Sequence, residues 1–220
     1  MPREPVPTPG NPGARRSPLL VVFLTVFIDL LGFGIVIPLL PIYSKAHGAG
    51  ELQLGLLFAS FSAMQFCFAP MWGRVSDRYG RRPVLLGGLV GTSAAYVLFA
   101  FADSMTGLFA ARLLAGFFGA NISTASAYIA DVTTPENRAR GMGMIGAAFG
   151  LGFTLGPGLG GELTHVSPAA PGWAAAGFSL CAAIFGWWRL QEPVRHTAGS
   201  RAFGFEQVRY AFSSARVGVP

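Results

Sequence analysis

Two charged side chains lie deep inside apolar stretches of this sequence and could act on a proton. Asp29 lies near the middle of the first stretch, and Arg112 lies about two helical turns into the fourth. A charge at bilayer depth costs at least about 2.5–3.5 kcal/mol, so each must face protein or water and have a partner. A buried carboxyl group can exchange a proton as its access alternates between the two sides. The alternative is a structural role, with Asp29 bonded to a polar residue such as Gln65.

Arg112 lies on a face of its helix that is otherwise small and polar. At 100° per residue, this arginine, three small residues and two serines fall within about 60° of one direction. Small residues let a neighbouring backbone approach, or they leave room for water and substrate. The alternative is a packing face whose arginine pairs with a carbonyl group near the membrane boundary. The residues expected at a cavity are Asp29, Gln65, Arg112, Gly116 and Ser123.

The elements that must position these side chains are six apolar stretches. Hydrophobic residues make up 52% of the chain and charged residues only 12%, against about 25% charged in soluble domains. The mean hydropathy is +0.50. Nearly uncharged runs of about 18 or more residues are typical of transmembrane helices. They predict an all-α membrane protein with spans at residues 19–41, 52–72, 83–102, 105–128, 141–161 and 172–190.

The basic residues indicate the orientation of these spans. Fourteen of the 16 Lys and Arg residues fall on one side, in the two tails and in the loops after the second and fourth spans. Lys45 is on the other side, and Arg112 is inside a span. The positive-inside rule therefore predicts a multi-pass protein with both termini in the cytoplasm. The positive-inside bias then accounts for the net charge of +6. The charge does not indicate nucleic-acid binding, because no base-reading motif accompanies it.

The sequence divides into three parts. Residues 1–18 are rich in Pro and Gly and predict a disordered cytoplasmic tail. Residues 19–190 form the six-helix bundle. Residues 191–220 become polar and then semi-amphipathic, as expected for the start of a cytoplasmic central loop, and we expect the chain to be truncated there.

The loop after the second span carries an informative motif, G-x-x-x-D-R-x-G-R-R-x-x-L, over residues 73–85. It closely resembles the signature loop between helices 2 and 3 of the major facilitator superfamily, with Val75 at a usual Leu position. The resemblance implies the N-terminal bundle of a twelve-helix transporter, built from two three-helix inverted repeats. The sequence also predicts a cytoplasmic charge cluster of Asp77, Arg81 and Asp131, because the first two are one helical turn apart and Asp131 ends the fourth span on the same side. The gating residues expected are Gly73, Asp77, Arg78, Gly80, Arg81, Arg82 and Asp131.

Three other segments resemble drug/proton antiporters, and tetracycline/proton antiporters in particular. The first is D-L-L-G-F-G-I-V-I-P-L-L-P over residues 29–41. Residues 108–120 are similar to a family pattern whose arginine, here Arg112, is implicated in proton coupling, although Ala115 replaces the usual Gln. The third is G-F-T-L-G-P-G-L-G-G, whose motif residues are Gly152, Gly156, Pro157, Gly160 and Gly161.

The resemblance implies proton-coupled export of a small amphipathic compound by alternating access, as in multidrug or tetracycline-like efflux. It implies the bacterial inner membrane, no cofactor, and a missing C-terminal six-helix half as partner. Two alternatives stay open: a metabolite symporter or uniporter of the same superfamily, and a half-length fragment without transport activity alone. An enzyme is not favoured, because the three histidines lie in loops or tails and no metal-binding or nucleophile motif is present.

Overall fold

The structure is a computed structural model that describes residues 18–193. Six segments are long and apolar enough to cross a membrane, which confirms the predicted all-α fold with six spans. The first span consists of α1, a 3-10 turn (Ile37–Leu39) and α2, and the fourth consists of α5 and α6. The helices are α1 (Pro18–Val36), α2 (Leu40–Ala46), α3 (Glu51–Tyr79), α4 (Arg81–Ala100), α5 (Met105–Phe118), α6 (Asn121–Val132), α7 (Pro135–Val166) and α8 (Ala170–Arg189).

Two helices extend well beyond the apolar stretches that predicted them. The second span continues to Tyr79, where Gly80 ends the helix with a φ of 117° that glycine adopts most easily. The fifth span begins at Pro135, in the first turn where proline's missing N–H is not needed. Hydropathy marks only the part of a helix that lies in lipid, so the polar helical ends were not predicted.

The fourth span is interrupted, whereas the sequence predicted a continuous helix. α5 ends at Phe118 and α6 begins at Asn121. Side chains of α3 bind carbonyl groups at this break: Gln65 Nε2 donates to Gly119 O over 2.6 Å, and Trp72 Nε1 donates to Phe117 O over 2.6 Å. A broken helix is tolerated at membrane depth only where its neighbours satisfy such backbone groups.

Two apolar clusters form the core, and both are built around α1, α4 and α8. One includes Val26, Leu89 and Ala182. The other includes Val36 and Tyr96 and extends to α3 and α5. α1 and α4 bury most of their span, whereas α3 and α7 bury little of theirs. The bundle therefore has two apolar flanks that no described residue covers.

α1 and α7 pack backbone against backbone. A Cβ atom at Gly156 would lie 2.5 Å from the carbonyl carbon of Gly34, and one at Gly160 would lie 2.9 Å from Ile35 O. Gly152, the third member of this buried stripe, packs against Leu30. Close approach of this kind is what small residues allow between membrane helices. The other two motif residues, Pro157 and Gly161, lie on exposed faces of α7, and the helix continues through Pro157.

Replacing Gly156 with Ala is expected to destabilise the bundle by about 1–3 kcal/mol, because the added methyl group has to push two backbones apart. Gly158→Ala is the matched control, since a Cβ atom there meets nothing within 4 Å. The measurement is the midpoint of thermal unfolding in detergent, followed by size-exclusion elution. Equal midpoints for the two variants would show that the glycine contact does not hold α1 and α7 together.

Candidate functional site

A polar layer crosses the middle of the bundle between the two apolar clusters, with the carboxyl group of Asp29 at its centre. Ser179 Oγ donates to Asp29 Oδ1 over 2.7 Å. Asn121 Nδ2 donates to Asp29 Oδ2 over 3.1 Å and also contacts Thr92 Oγ1 at 3.4 Å. Ser179, Asn121 and Thr92 are all buried. The carboxyl group is thus held by side chains from two other helices, α8 and α6, and Thr92 of α4 contacts one of these side chains, Asn121.

All the hydrogen-bond partners found for Asp29 are neutral, and Gln65 is not among them. The Gln65 amide instead donates to Gly119 O. No ion pair joins Asp29 to a cation within residues 18–193. A serine hydroxyl can donate to a carboxylate and can also accept from a protonated carboxyl group. Proton uptake at Asp29 would therefore break no ion pair, and Ser179 could stay bonded in both protonation states.

A cavity of about 170 Å³ opens beside this carboxyl group. Its polar lining includes Asp29 and Gln65, two of the residues that the sequence placed at a cavity. Aromatic and aliphatic side chains make up most of the remaining wall. Such a lining, mostly apolar with a few polar groups, is typical of small-molecule sites. The other polar and aromatic lining residues are Thr92, Asn121, Tyr96, Phe33, Phe61 and Phe149.

Arg112 lies next to this cavity but is not part of its lining. The residue is only 2% exposed, and its guanidinium carbon lies 4.3 Å from the centre of the Phe61 ring, which does line the cavity. Among the described residues, neither Nε nor Nη1 of Arg112 has a hydrogen-bond partner. The expected backbone carbonyl partner is therefore not found for these two atoms, and the aromatic ring is the neighbour that offsets the charge.

The remaining two residues of the predicted cavity lie elsewhere. Gly116 packs against α3, where a Cβ atom would lie 2.5 Å from Phe61 O and 2.8 Å from Met64 Cβ. Ser123 is exposed, and its hydroxyl donates to Ala120 O over 2.8 Å. The small face of the fourth span thus serves in part for helix packing.

Three residues of the polar layer were not predicted from the sequence: Thr92, Asn121 and Ser179. Each is a neutral polar residue on a different helix, so no spacing along the chain connects them. The available signal was Asn121, an amide side chain inside an apolar stretch. Thr and Ser are too common in membrane helices to stand out, since they can bond to their own backbone.

At one end of the bundle, Arg81, the first residue of α4, connects the end of α3 to α6. Its Nη1 lies 2.6 Å from Asp77 Oδ1, and its Nε lies 2.9 Å from Asp131 Oδ2. Arg81 Nη1 also donates to Ser76 Oγ over 2.7 Å. The structure therefore brings together the three charged residues of the predicted cluster. The Asp77 side chain is 63% exposed, so its ion pair contributes little to stability.

Of the remaining gating residues, Arg82 bonds to another span, whereas Arg78 and Gly73 do not contribute such a bond among the described residues. Arg82 Nη2 donates to Trp187 O over 2.6 Å. Arg78 lies over the ring of its neighbour Tyr79 at 5.6 Å, and a side chain at Gly73 would meet nothing within 4 Å.

Glu192 joins this loop to the end of the sixth span, a contact that the sequence did not predict. Its carboxylate accepts from the backbone N–H of Arg81 over 2.7 Å and from that of Arg82 over 3.0 Å. A carboxylate at the start of a helix such as α4 interacts favourably with the helix dipole. Tyr128 OH adds a bond to Gln191 O over 2.6 Å. The loop, α6 and the end of α8 are therefore tied into one unit.

Comparison with known proteins gives consistent matches. Residues 22–217 match the family described as Major Facilitator Superfamily. The chain is 40% identical over 183 residues to tetracycline resistance protein, class C, of Escherichia coli, covering 80% of this chain and 46% of the relative. It is 36% identical over 236 residues to major facilitator superfamily domain-containing protein 10 of Homo sapiens, covering 93% and 50%.

The crystal structure of the human organic anion transporter MFSD10 (TETRAN) matches with a TM-score of 0.75 and 34% identity, covering 84% of this chain and 49% of that one. The chain spans about half the length of the curated relatives it matches.

Proposed function

The chain belongs to the major facilitator superfamily, and we propose that its six helices form one half of a transporter that exports a small amphipathic compound in exchange for protons. The observation that carries this proposal is the Asp29 carboxyl group, held by neutral partners beside a largely apolar cavity. The similarity to tetracycline resistance proteins supports export.

Asp29 and the cavity have distinct parts in the proposed mechanism. The cavity holds the apolar body of the compound, and the carboxyl group carries one proton per cycle. Because all the partners found for Asp29 are neutral, the carboxyl group can load and release its proton without breaking an ion pair. Alternation of access then needs a second six-helix bundle, and the exposed flanks of α3 and α7 are the surfaces that it would contact.

The orientation belongs to the same proposal. The end of the bundle that carries Arg81 and Arg82 faces the cytoplasm, as do both termini, in the plasma membrane of a bacterium. The support is the distribution of basic residues across the loops, which follows the positive-inside rule.

A second candidate is transport of an organic anion, and Arg112 is the observation that favours it. A buried guanidinium with two nitrogen atoms lacking partners, next to the cavity, could attract an anionic group. A similar structure is that of an organic anion transporter. In this candidate Arg112 contacts the substrate, whereas in proton-coupled export of an uncharged or cationic compound it does not.

The test uses inside-out membrane vesicles from cells that express the native gene. Tetracycline is the amphipathic probe, ethidium the cationic probe and fluorescein the anionic probe. A pH-sensitive dye records proton movement. Proton-coupled uptake of tetracycline or ethidium supports export, whereas uptake of fluorescein alone supports the second candidate. Uptake without proton movement contradicts antiport. Vesicles containing only these 220 residues are the control without a second bundle, and no flux is expected from them.

Asp77→Asn is expected to lower transport about fivefold or more while the protein still inserts and folds. Arg81 would keep its bond to Asp131, so the loop stays attached. The lost charge is the one that, by resemblance, meets a positive helix end of the second bundle, an interaction worth up to about 1–2 kcal/mol. Asp103→Asn, in the loop between α4 and α5, is the matched control. A wild-type transport rate for Asp77→Asn would contradict the gating role.

A further inference from the structure

A second groove lies on the outside of the bundle, between α4 and α8 and away from the polar layer. It encloses about 240 Å³. Its walls are apolar over their whole length. Ile184, Trp187 and Trp188 are exposed large side chains of α8. The larger side chains of its lining are those of Leu86, Val90, Leu180, Ile184, Trp187 and Trp188.

One end of this groove carries positive charge. The Arg82 guanidinium lies 5.3 Å from the centre of the Trp187 ring, and Arg82 Nη2 donates to the Trp187 carbonyl oxygen. Arg82 Nε is buried and has no hydrogen-bond partner among residues 18–193. Arg189, which directly follows the tryptophan pair, is exposed. Glu192, the described acid that follows Arg189 in the sequence, already accepts two backbone N–H groups.

We propose that this groove binds one anionic phospholipid, with its phosphate at Arg82 and Arg189 and an acyl chain along the apolar walls. Guanidinium groups pair well with phosphate. Tryptophan is enriched at the level of lipid headgroups, and clusters of basic residues next to a span recognise anionic lipids. From Arg82 to Val90 the helix rises about 12 Å, at 1.5 Å per residue. The apolar wall is therefore long enough to hold the first part of an acyl chain.

The basic end of this groove separates it from an ordinary lipid-facing surface. A flat apolar flank accepts any lipid, whatever its headgroup. Here the Arg82 guanidinium, whose Nε has no partner among residues 18–193, lies against Trp187 at the end of a concave wall, and Arg189 is exposed two residues further along α8. The site should therefore prefer anionic over zwitterionic headgroups.

Fluorescence quenching by brominated lipids tests this preference, because Trp187 and Trp188 report contact with the bromine atoms. The full chain is reconstituted in vesicles of phosphatidylcholine that contain increasing fractions of dibrominated phosphatidylglycerol or dibrominated phosphatidylcholine. The quenching that arises in the groove is obtained by subtracting the quenching of a variant that carries both Trp187→Phe and Trp188→Phe. We expect dibrominated phosphatidylglycerol to reach half-maximal quenching at a fraction about fivefold lower than dibrominated phosphatidylcholine does.

Two arginine variants decide the outcome. Arg82→Gln should remove the preference, whereas Arg74→Gln should keep it, since Arg74 is an exposed residue of α3 whose one bond among the described residues is to Pro70 O. If Arg82→Gln does not fold, Val90→Phe fills the groove with both arginines in place and should weaken quenching by the anionic lipid. Equal quenching by the two lipids in the wild type, or equal loss from both arginine variants, would overturn the proposal. The proposal would also be overturned if the chain forms dimers, whatever the vesicle composition, that shield the tryptophans from both lipids.

Discussion

Asp29→Asn is expected to abolish proton-coupled transport, lowering it by at least about 100-fold, while the bundle stays folded. Asparagine has nearly the shape of aspartate, and its amide oxygen can still accept the bond from Ser179. No ion pair would be lost, since both partners found for Asp29 are neutral. The change removes the ability to take up and release a proton, and it also removes the acceptor of the bond from Asn121 Nδ2, at a cost of about 1 kcal/mol. The measurement is acidification-driven uptake of tetracycline or ethidium in inside-out vesicles, with proton movement recorded in parallel.

Two controls separate proton transfer from structure. Ser179→Ala removes one hydrogen bond of about 1 kcal/mol but keeps the carboxyl group, so transport should fall only several-fold. Asp103→Asn removes a loop carboxyl group outside the polar layer and should change nothing. If Asp29→Asn moves protons at the wild-type rate, the carboxyl group is a structural element of the polar layer and the proposed function fails.

The second large effect is expected at Arg112, where stability and activity should change in opposite directions. An arginine at membrane depth costs about 2.5–3.5 kcal/mol, and a desolvated cation–π contact offsets about 2 kcal/mol of this. Arg112→Met should therefore stabilise the bundle by about 1 kcal/mol, seen as a higher midpoint of thermal unfolding. Transport should fall at least tenfold, because the change removes the one cation next to the cavity within the described residues.

Arg112→Lys shows which role the charge has. If the charge attracts an anionic substrate, lysine should retain uptake of fluorescein with a raised KM and little change in kcat. If the charge assists proton coupling, the KM of tetracycline should stay constant while kcat falls. A methionine variant that is both less stable and fully active would contradict both roles, and Arg112 would then be only a packing residue.

The fold was predictable because hydropathy and glycine spacing act locally along the chain. Six apolar stretches gave six spans, and the stripe of Gly152, Gly156 and Gly160 gave a close helix contact. The partner of that stripe was not predicted, since nothing in α7 alone identifies α1. The break after Phe118 was also missed. Glycine is frequent in membrane helices, and only the donors of α3 make the interruption stable.

The candidate site was predictable only through its charges. A carboxylate and a guanidinium inside apolar stretches are conspicuous, so Asp29 and Arg112 were found at once. The neutral partners Asn121 and Ser179 come from helices 92 and 150 residues away from Asp29 in sequence. Their bonds depend on tertiary packing, which no periodicity records. Ser123 shows the opposite failure, because its helical position placed it on the right face while the structure leaves it exposed.

The glycine contact between α1 and α7 also limits how Asp29, the proposed proton site, can move. Sliding one helix along the other by a single residue, about 1.5 Å, would bring side chains against the backbones that now touch at Gly34 and Gly156. We therefore expect the two helices to move together, because packed interfaces switch between discrete arrangements and do not deform continuously. Asp29 lies on α1, so any displacement that exposes it to a new side carries the fifth span along. If Asp29 carries the proton as proposed, we expect the carrier and the fifth helix to move as a single part.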